Sequence, residues 1–451
     1  MNRKLITLMI VALSMAFFQN ANAVEMSESG LVEIHGFITQ GYIYTDENNF
    51  FADTEGDGTT QFNEVGINFS SDVSERLRLG IQFFARDFGK MGDGDITIDW
   101  ATADYSFFDW LNLRAGKIKV PYGLYNTERD VDVLRTFVFL PQSLYYEGWR
   151  DSANAMNGAG FYGYIPAGVV GNFEYQLYGG NTKVPADGGV ARLLRDEAPT
   201  LMDMDITYVD VDYMYTGQVI WDTVFGLDGL RLVASNWEIE FGAQCNYDTL
   251  DYAGGTTFLP DGGHESSVFR TINNTYNASV EYSYGNFVFA VEYMKNQYEL
   301  SLKTGDTTGN DGVDLLDGNS DGALISNFDA EGYYGSMTYR FTDWFEAGVY
   351  YSEYFSDTSD KDGTKKVDSG GLQPGMEHNQ WSKDLCISTR FDISSNWLFK
   401  LEGHKMNGSA LMYSDDGNTK EVFVPALGRN IDFLDYAEDW YIMAAKLSFN
   451  F

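Results

Sequence analysis

Long apolar runs are scarce in this chain. Past the N-terminus no stretch approaches the ~20 apolar residues that a membrane-crossing helix needs, and a mean hydropathy of −0.28 is too polar for a bundle of such helices. Basic residues are also few: 30 Lys and Arg stand against 66 Asp and Glu, a net charge of −36. Recognition of a phosphate backbone needs a basic face, so nucleic acid is excluded as a partner, and an anionic lipid surface is equally ill-matched. Cysteine is nearly absent, with two residues where a disulfide framework needs more. What abounds is aromatic and glycine: 16% Phe, Trp and Tyr, and 47 Gly in 451 residues. Such a chain has too much packing material to be disordered. Its length alone would be read as two or three soluble domains. Aromatics, glycines and middling hydropathy without helical spans fit instead an all-β transmembrane antiparallel barrel, where polar and apolar residues alternate.

Residues 1–23 read as a secretory signal: Arg3 and Lys4, an apolar core from Leu5 to Phe18, and Ala21-Asn22-Ala23 as an A-x-A cleavage site. Cleavage there leaves one barrel domain over 24–451, with a net charge of −38. Without a helical anchor, such a chain enters a membrane only as a closed barrel, because open strand edges have no partners in hydrocarbon.

Period-two alternation runs almost from end to end. Val32, Ile34, Ile38, Tyr42 and Tyr44 take one side of the first run; Glu33, His35, Thr39 and Gly41 take the other. Leu77, Leu79, Ile81, Phe83 and Ala85 alternate with Arg76, Arg78, Gly80, Gln82 and Arg86. Similar runs lie near 62–70, 97–107, 110–119, 158–166, 171–180, 207–221, 230–247, 268–284, 286–300, 331–341, 344–355, 380–392 and 396–406. The last, 440–451, puts Met443, Ala445, Leu447, Phe449 and Phe451 on one face. The expectation is about 16 strands, with 18 as the alternative, since single-chain bacterial barrels have even numbers. Short links at 71–74, 108–109, 341–343 and 394–396 resemble periplasmic turns. The polar stretches 46–60, 181–205, 248–266, 303–329, 356–379 and 407–438 resemble external loops.

Cys245 shares the apolar face of Trp237, Ile239, Phe241 and Ala243, whereas Cys386 falls on the opposite face, between Leu385 and Ile387. Opposite sides of a wall are outside disulfide geometry, so both are expected as free thiols. Neither has a second Cys or His at ligand-like spacing, so no metal is expected on them.

After Pro121 the alternation fails for over thirty residues, and a loop this long in a compact protein is usually functional or disordered. Phe137, Val138, Phe139, Leu140, Tyr145, Tyr146 and Trp149 give it material to pack, and the lumen wall is a place to pack. The run RAGKIKVPYGLYN over 114–126 resembles the strand-to-loop signature of the phosphate-selective porins and their relatives. RFDISSNWLFKLEGH over 390–404 resembles a penultimate strand pair of the same group. The terminal Phe451 resembles the signal read by the barrel assembly machinery. The resemblance implies a homotrimeric 16-stranded porin of the Gram-negative outer membrane, embedded in lipid and lipopolysaccharide. It would pass small hydrophilic solutes or anions by passive diffusion, with the loop 121–157 folded inward to narrow the channel.

The expected constriction comprises Arg78, Arg86, Arg114, Glu128, Arg129, Asp130, Asp132 and Arg135. Two uses of these charges are open: a basic wall opposed to an acidic loop sets ion preference, or the charges pair and hold the loop in place. Asp53-x-Glu55-x-Asp57-Gly58 with Glu64, and Asp317-Gly-Asn319-Ser-Asp321, are weak calcium candidates; a solvated acidic loop tip is the plainer reading. No enzyme is expected: His35, His264, His378 and His404 lie in no hydrolase motif. No cofactor is expected either. The alternatives are a barrel-embedded enzyme using His35 or His404, a sheath for an electron-transfer cytochrome, and a saturable carrier-like channel.

Overall fold

The computed structural model describes residues 24–25, 31–185, 188–191, 202–249, 264–304, 324–368, 375–412, 418–424 and 429–451. The signal segment 1–23 and the calcium candidates Asp317 and Asp321 lie outside these. Sixteen antiparallel strands form the wall: β1 (Leu31–Thr45), β2 (Asn63–Ser74), β3 (Leu77–Asp87), β4 (Thr97–Phe108), β5 (Leu111–Lys119), β6 (Ala155–Pro166), β7 (Asn172–Asn181) and β8 (Met202–Asp222). They continue as β9 (Leu230–Thr249), β10 (His264–Tyr284), β11 (Phe287–Thr304), β12 (Leu324–Thr342), β13 (Phe345–Phe355), β14 (Trp381–Asp392), β15 (Trp397–Gly408) and β16 (Asp439–Asn450). Each pairs with its neighbour in sequence, and β16 returns to β1 with Ile442 opposite Thr45 and Asn450 opposite Phe37. Gly36 and Phe451 then exchange both backbone hydrogen bonds, at 2.9 and 3.0 Å. The barrel is closed, and no strand edge is left for lipid to desolvate.

Turns alternate as the sequence requires. One end of the barrel carries short links, such as Gly285-Asn286 between β10 and β11, where Gly285 takes φ +59°. The other carries the long ones. A separate hairpin, Asn418–Val424 with Arg429–Asp435, stands in the link between β15 and β16.

Alternation decides what each side chain meets. Val65, Leu79, Phe161, Leu177, Val219, Val291, Ile387 and Leu401 are exposed apolar residues on the outer surface. Phe108 stacks on Trp110 and Trp221 meets Phe225 near the short turns, with Trp344 and Trp397 at the same end. Such amphipathic rings belong at a membrane–water boundary.

One apolar row reverses the expected side. Trp237, Ile239, Phe241 and Ala243 of β9 are buried and face inward, and Tyr122 packs on Trp237 at 6.1 Å. Alternation gives parity, not the identity of the solvent beyond each face; here the lumen is filled by protein and takes an apolar lining. Cys386 is inward too, a buried free thiol.

Candidate pore constriction

The third long link, residues 120–154, leaves β5 where Pro121 cannot continue the ladder. Val120 makes the last backbone bond, to Asn154 at 2.9 Å. Beyond it the segment is hydrogen-bonded to every strand from β8 to β16.

Gly123 N–H donates to Ser235 of β9 at 3.1 Å, and its carbonyl accepts from Gln218 of β8 at 2.9 Å. Its φ is +57°, and a Cβ there would fall 2.3 Å from the Tyr145 hydroxyl, so both conformation and space call for glycine. Alongside lies Glu292 of β11, fully buried, which accepts from Leu124 N–H (2.9 Å) and from the hydroxyls of Tyr145 (2.6 Å), Tyr334 (2.5 Å) and Ser279 (2.5 Å). Four donors on one carboxylate satisfy it, with no cation paired to it among the described residues. Tyr125 reaches Glu281 of β10 at 3.0 Å.

Further along, Asp132 accepts from Lys446 and Ser448 of β16, with Lys446 Nζ 2.9 Å away and Ser448 at 2.8 Å. Arg135 stands 3.2 Å from it and Lys400 of β15 3.6 Å. Burial alone would push the Asp132 carboxyl up; Lys446, Lys400 and Arg135 outweigh it and hold it well below the usual carboxylate range. Lys446 also bonds Glu64 of β2 at 2.7 Å. Arg390 of β14 donates to the Val133 carbonyl at 2.7 Å, and Thr136 bonds Glu346 of β13. The backbone N–H groups of Val138 and Phe139 donate to the two oxygens of Glu402, at 2.7 and 2.9 Å, while Lys400 donates to the Phe137 carbonyl.

The returning limb is pinned by ion pairs. Glu147 meets Arg86 of β3 and Arg129, each at 2.7 Å. Asp130 is bonded by Lys119 and Arg150, and Asp99 of β4 shares Lys119 at 3.1 Å. Burial raises both loop carboxyls, but Arg129 and Arg86 on Glu147, and Arg150 and Lys119 on Asp130, carry them below their ordinary values. Between the anchors Phe139 stacks with Phe62 (5.4 Å) and Phe88 (5.9 Å). Ser143 reaches the Tyr333 carbonyl of β12 at 3.5 Å.

Of the expected constriction residues, Arg86, Arg129, Asp130, Asp132 and Arg135 come together in this loop–wall network, and they come together as pairs. Glu128 is exposed on the loop. Arg114 of β5 stands apart, bonded to Asp104 at 2.6 Å and lying 4.7 Å over the Tyr162 ring. Arg78 is farther still, half-exposed near the short-turn end with Glu33 at 2.9 Å and Asp72 at 3.3 Å. Arg78, Arg114, Glu33, Asp104, Trp100 and Tyr162 line a cavity of about 890 Å³. Asp53 and Asp57 are exposed, and Glu64, which would complete their calcium pattern, is turned to Lys446.

Sequence reasoning missed Glu292, Lys400, Glu402 and Lys446. Each is a charge at the inward parity of a strand, within VFAVEYMK, LFKLEGH or MAAKLSF. An ionisable residue there is either wet or partnered, and that signal was available.

No protein-family model matches the chain, and no curated protein matches it. Solved structures do. The anion-selective porin from Comamonas acidovorans superposes with a TM-score of 0.52 at 11% identity, over 94% of this chain and all of that one. OmpF of Salmonella typhi, in complex with daunomycin, gives 0.50 at 9% identity over 95% of this chain and all of that one. The barrel has the porin fold. At such identities the likeness concerns architecture alone. This porin-fold barrel differs from an empty pipe in the number of strands that its third loop engages.

Proposed function

We propose that the chain is a porin of the Gram-negative outer membrane, through which small hydrophilic solutes diffuse passively past a constriction made by residues 121–157. One observation carries this reading: the third loop crosses the lumen, bonded to every strand from β8 to β16 and, on its return, to β3 and β4, while a cavity stays open beside it along β1–β6. The outward apolar wall with aromatic rings supports the membrane location. A homotrimer belongs to the same reading and is checked by the mass of the detergent-solubilised particle.

The likeness to phosphate-selective porins rests on the motif over 114–126, and the anion preference on the local basic excess. Pairing weakens the second. Arg86, Arg129, Arg135 and Arg150 each face a carboxylate, and Arg78 and Arg114 in the cavity do so too. The reading proposed here is a weakly selective channel.

Planar-bilayer recording tests it. Wild-type protein gives discrete conductance steps with a small reversal potential in a salt gradient. Deletion of 128–148 raises the step size, and an unchanged step would remove the loop from its role. A large reversal potential of the anion-selective sign would restore the basic-wall reading.

A further inference from the structure

Under the loop, on the inner face of β14 and β15, four ionisable side chains meet, of which the channel reading uses only Glu402, as an anchor of the loop. Cys386 and His404 are directly opposite in the register. His404 Nε2 is 3.0 Å from Glu402 Oε1, and Nδ1 is 3.0 Å from both oxygens of Asp384. Donor atoms of Cys386, Glu402 and His404 all lie within 4.8 Å of one another, and all three residues are buried. Among the described residues this is the one group of three or more potential metal ligands gathered so closely.

We propose that Cys386 Sγ, His404 Nε2 and Glu402 Oε1 bind a divalent transition ion of the zinc class. Three features of the geometry point there. The donor set is mixed sulfur, nitrogen and oxygen, which suits zinc and cobalt and not calcium or magnesium. Two ligands each ~2.0–2.1 Å from a tetrahedral ion stand a little over 3 Å apart, close to the separation of Nε2 and Glu402 Oε1. Asp384, on the far side of the ring, is placed as the carboxylate that accepts from the other nitrogen and fixes ring orientation, the usual outer partner of a metal-bound histidine.

Without metal, each ring nitrogen facing a carboxylate is a donor. Binding displaces the proton that His404 directs toward Glu402 and the proton of the Cys386 thiol; both leave to solvent, and nothing is oxidised or reduced. Affinity therefore rises with pH. Glu402 would hold the ion and the Val138 and Phe139 amides together, so metal would tie the β14–β15 pair to the loop. Spacing along the chain concealed the group, because its members come from adjacent strands.

The probe is Co²⁺, added to the full mature chain both as purified from membranes and during refolding into detergent, since the pocket is closed in the finished barrel. The expected result is one ion per chain with a thiolate-to-cobalt charge-transfer band. Zn²⁺ displaces the ion and abolishes the band. Cys386→Ser loses the band while Cys245→Ser retains it, and Asp384→Asn weakens binding by about 10–100-fold. No stoichiometric binding under either loading condition overturns the proposal, as does a band that survives in Cys386→Ser. Should Cys386→Ser fail to fold, X-ray absorption of the loaded wild-type protein stands in: a sulfur scatterer supports the site, and a shell of only nitrogen and oxygen overturns it.

Discussion

At the scale of single residues, the loop shows how differently buried polar groups behave. The Tyr122 hydroxyl is buried with no hydrogen-bond partner among the described residues, and burial pushes its pKa up to about 12. An unpaired buried hydroxyl costs about 1–3 kcal/mol, while the ring stacks on Tyr145 at 5.9 Å. Tyr122→Phe is therefore expected to leave stability unchanged or raise it by about 1 kcal/mol, read from urea unfolding of the barrel in lipid vesicles. Asp132 is the opposite case. Its removal leaves Lys446, Lys400 and Arg135 short of a shared carboxylate, and breaking a buried pair from one side costs about 3–5 kcal/mol. Asp132→Asn is expected to free the loop, seen as noisier and larger conductance steps and as protease cleavage within 121–157.

At the scale of the element, the loop is held by carboxylates whose pKa values the fold depresses. The sign follows directly. Asp130, Asp132 and Glu147 bind protons less readily folded than unfolded, so their contribution is complete above the ordinary carboxylate range and is lost as pH falls below it. The part of the anchoring that these three carboxylates supply should be constant from about pH 8 to 5 and weaken only below about pH 4. Conductance noise recorded across that range checks it; loosening near pH 6 would point to a histidine instead.

How much of this element was legible beforehand follows from what alternation encodes. All sixteen strands were readable because each presents a period of two, and the failure of that period after Pro121 located the loop. The partners of the loop were not readable. They lie on strands far away in sequence, so parity marks Glu292 and Glu402 as inward charges in need of water or a partner, but nothing local names the loop as that partner. The inward row Trp237–Ala243 misled for the same reason, since an apolar stripe looks alike whether lipid or a packed loop covers it.

At the scale of the whole molecule, the outer wall has a preferred solvent. Leu401 is half-exposed on the outer surface of β15, while its neighbours Lys400 and Glu402 point into the barrel. Leu401→Arg is expected to cost about 2–4 kcal/mol in a bilayer, the range for a cation near mid-depth of a barrel wall. The penalty should shrink in detergent, and equal penalties in both solvents would argue against a lipid-facing position.

The anchor on β16 also imposes an order of events. Asp132 precedes Lys446 by 314 residues, and the strand bearing Lys446 is the one that seals the cylinder against β1. A sheet that still lacks β16 therefore holds its third loop through the earlier strands, with Asp132 paired to Arg135 and short of Lys446 and Ser448. Closure and the last of the loop's anchors arrive together, so a chain stalled one hairpin short would be unsealed and its loop held less tightly, and recognisable to proteases on both counts.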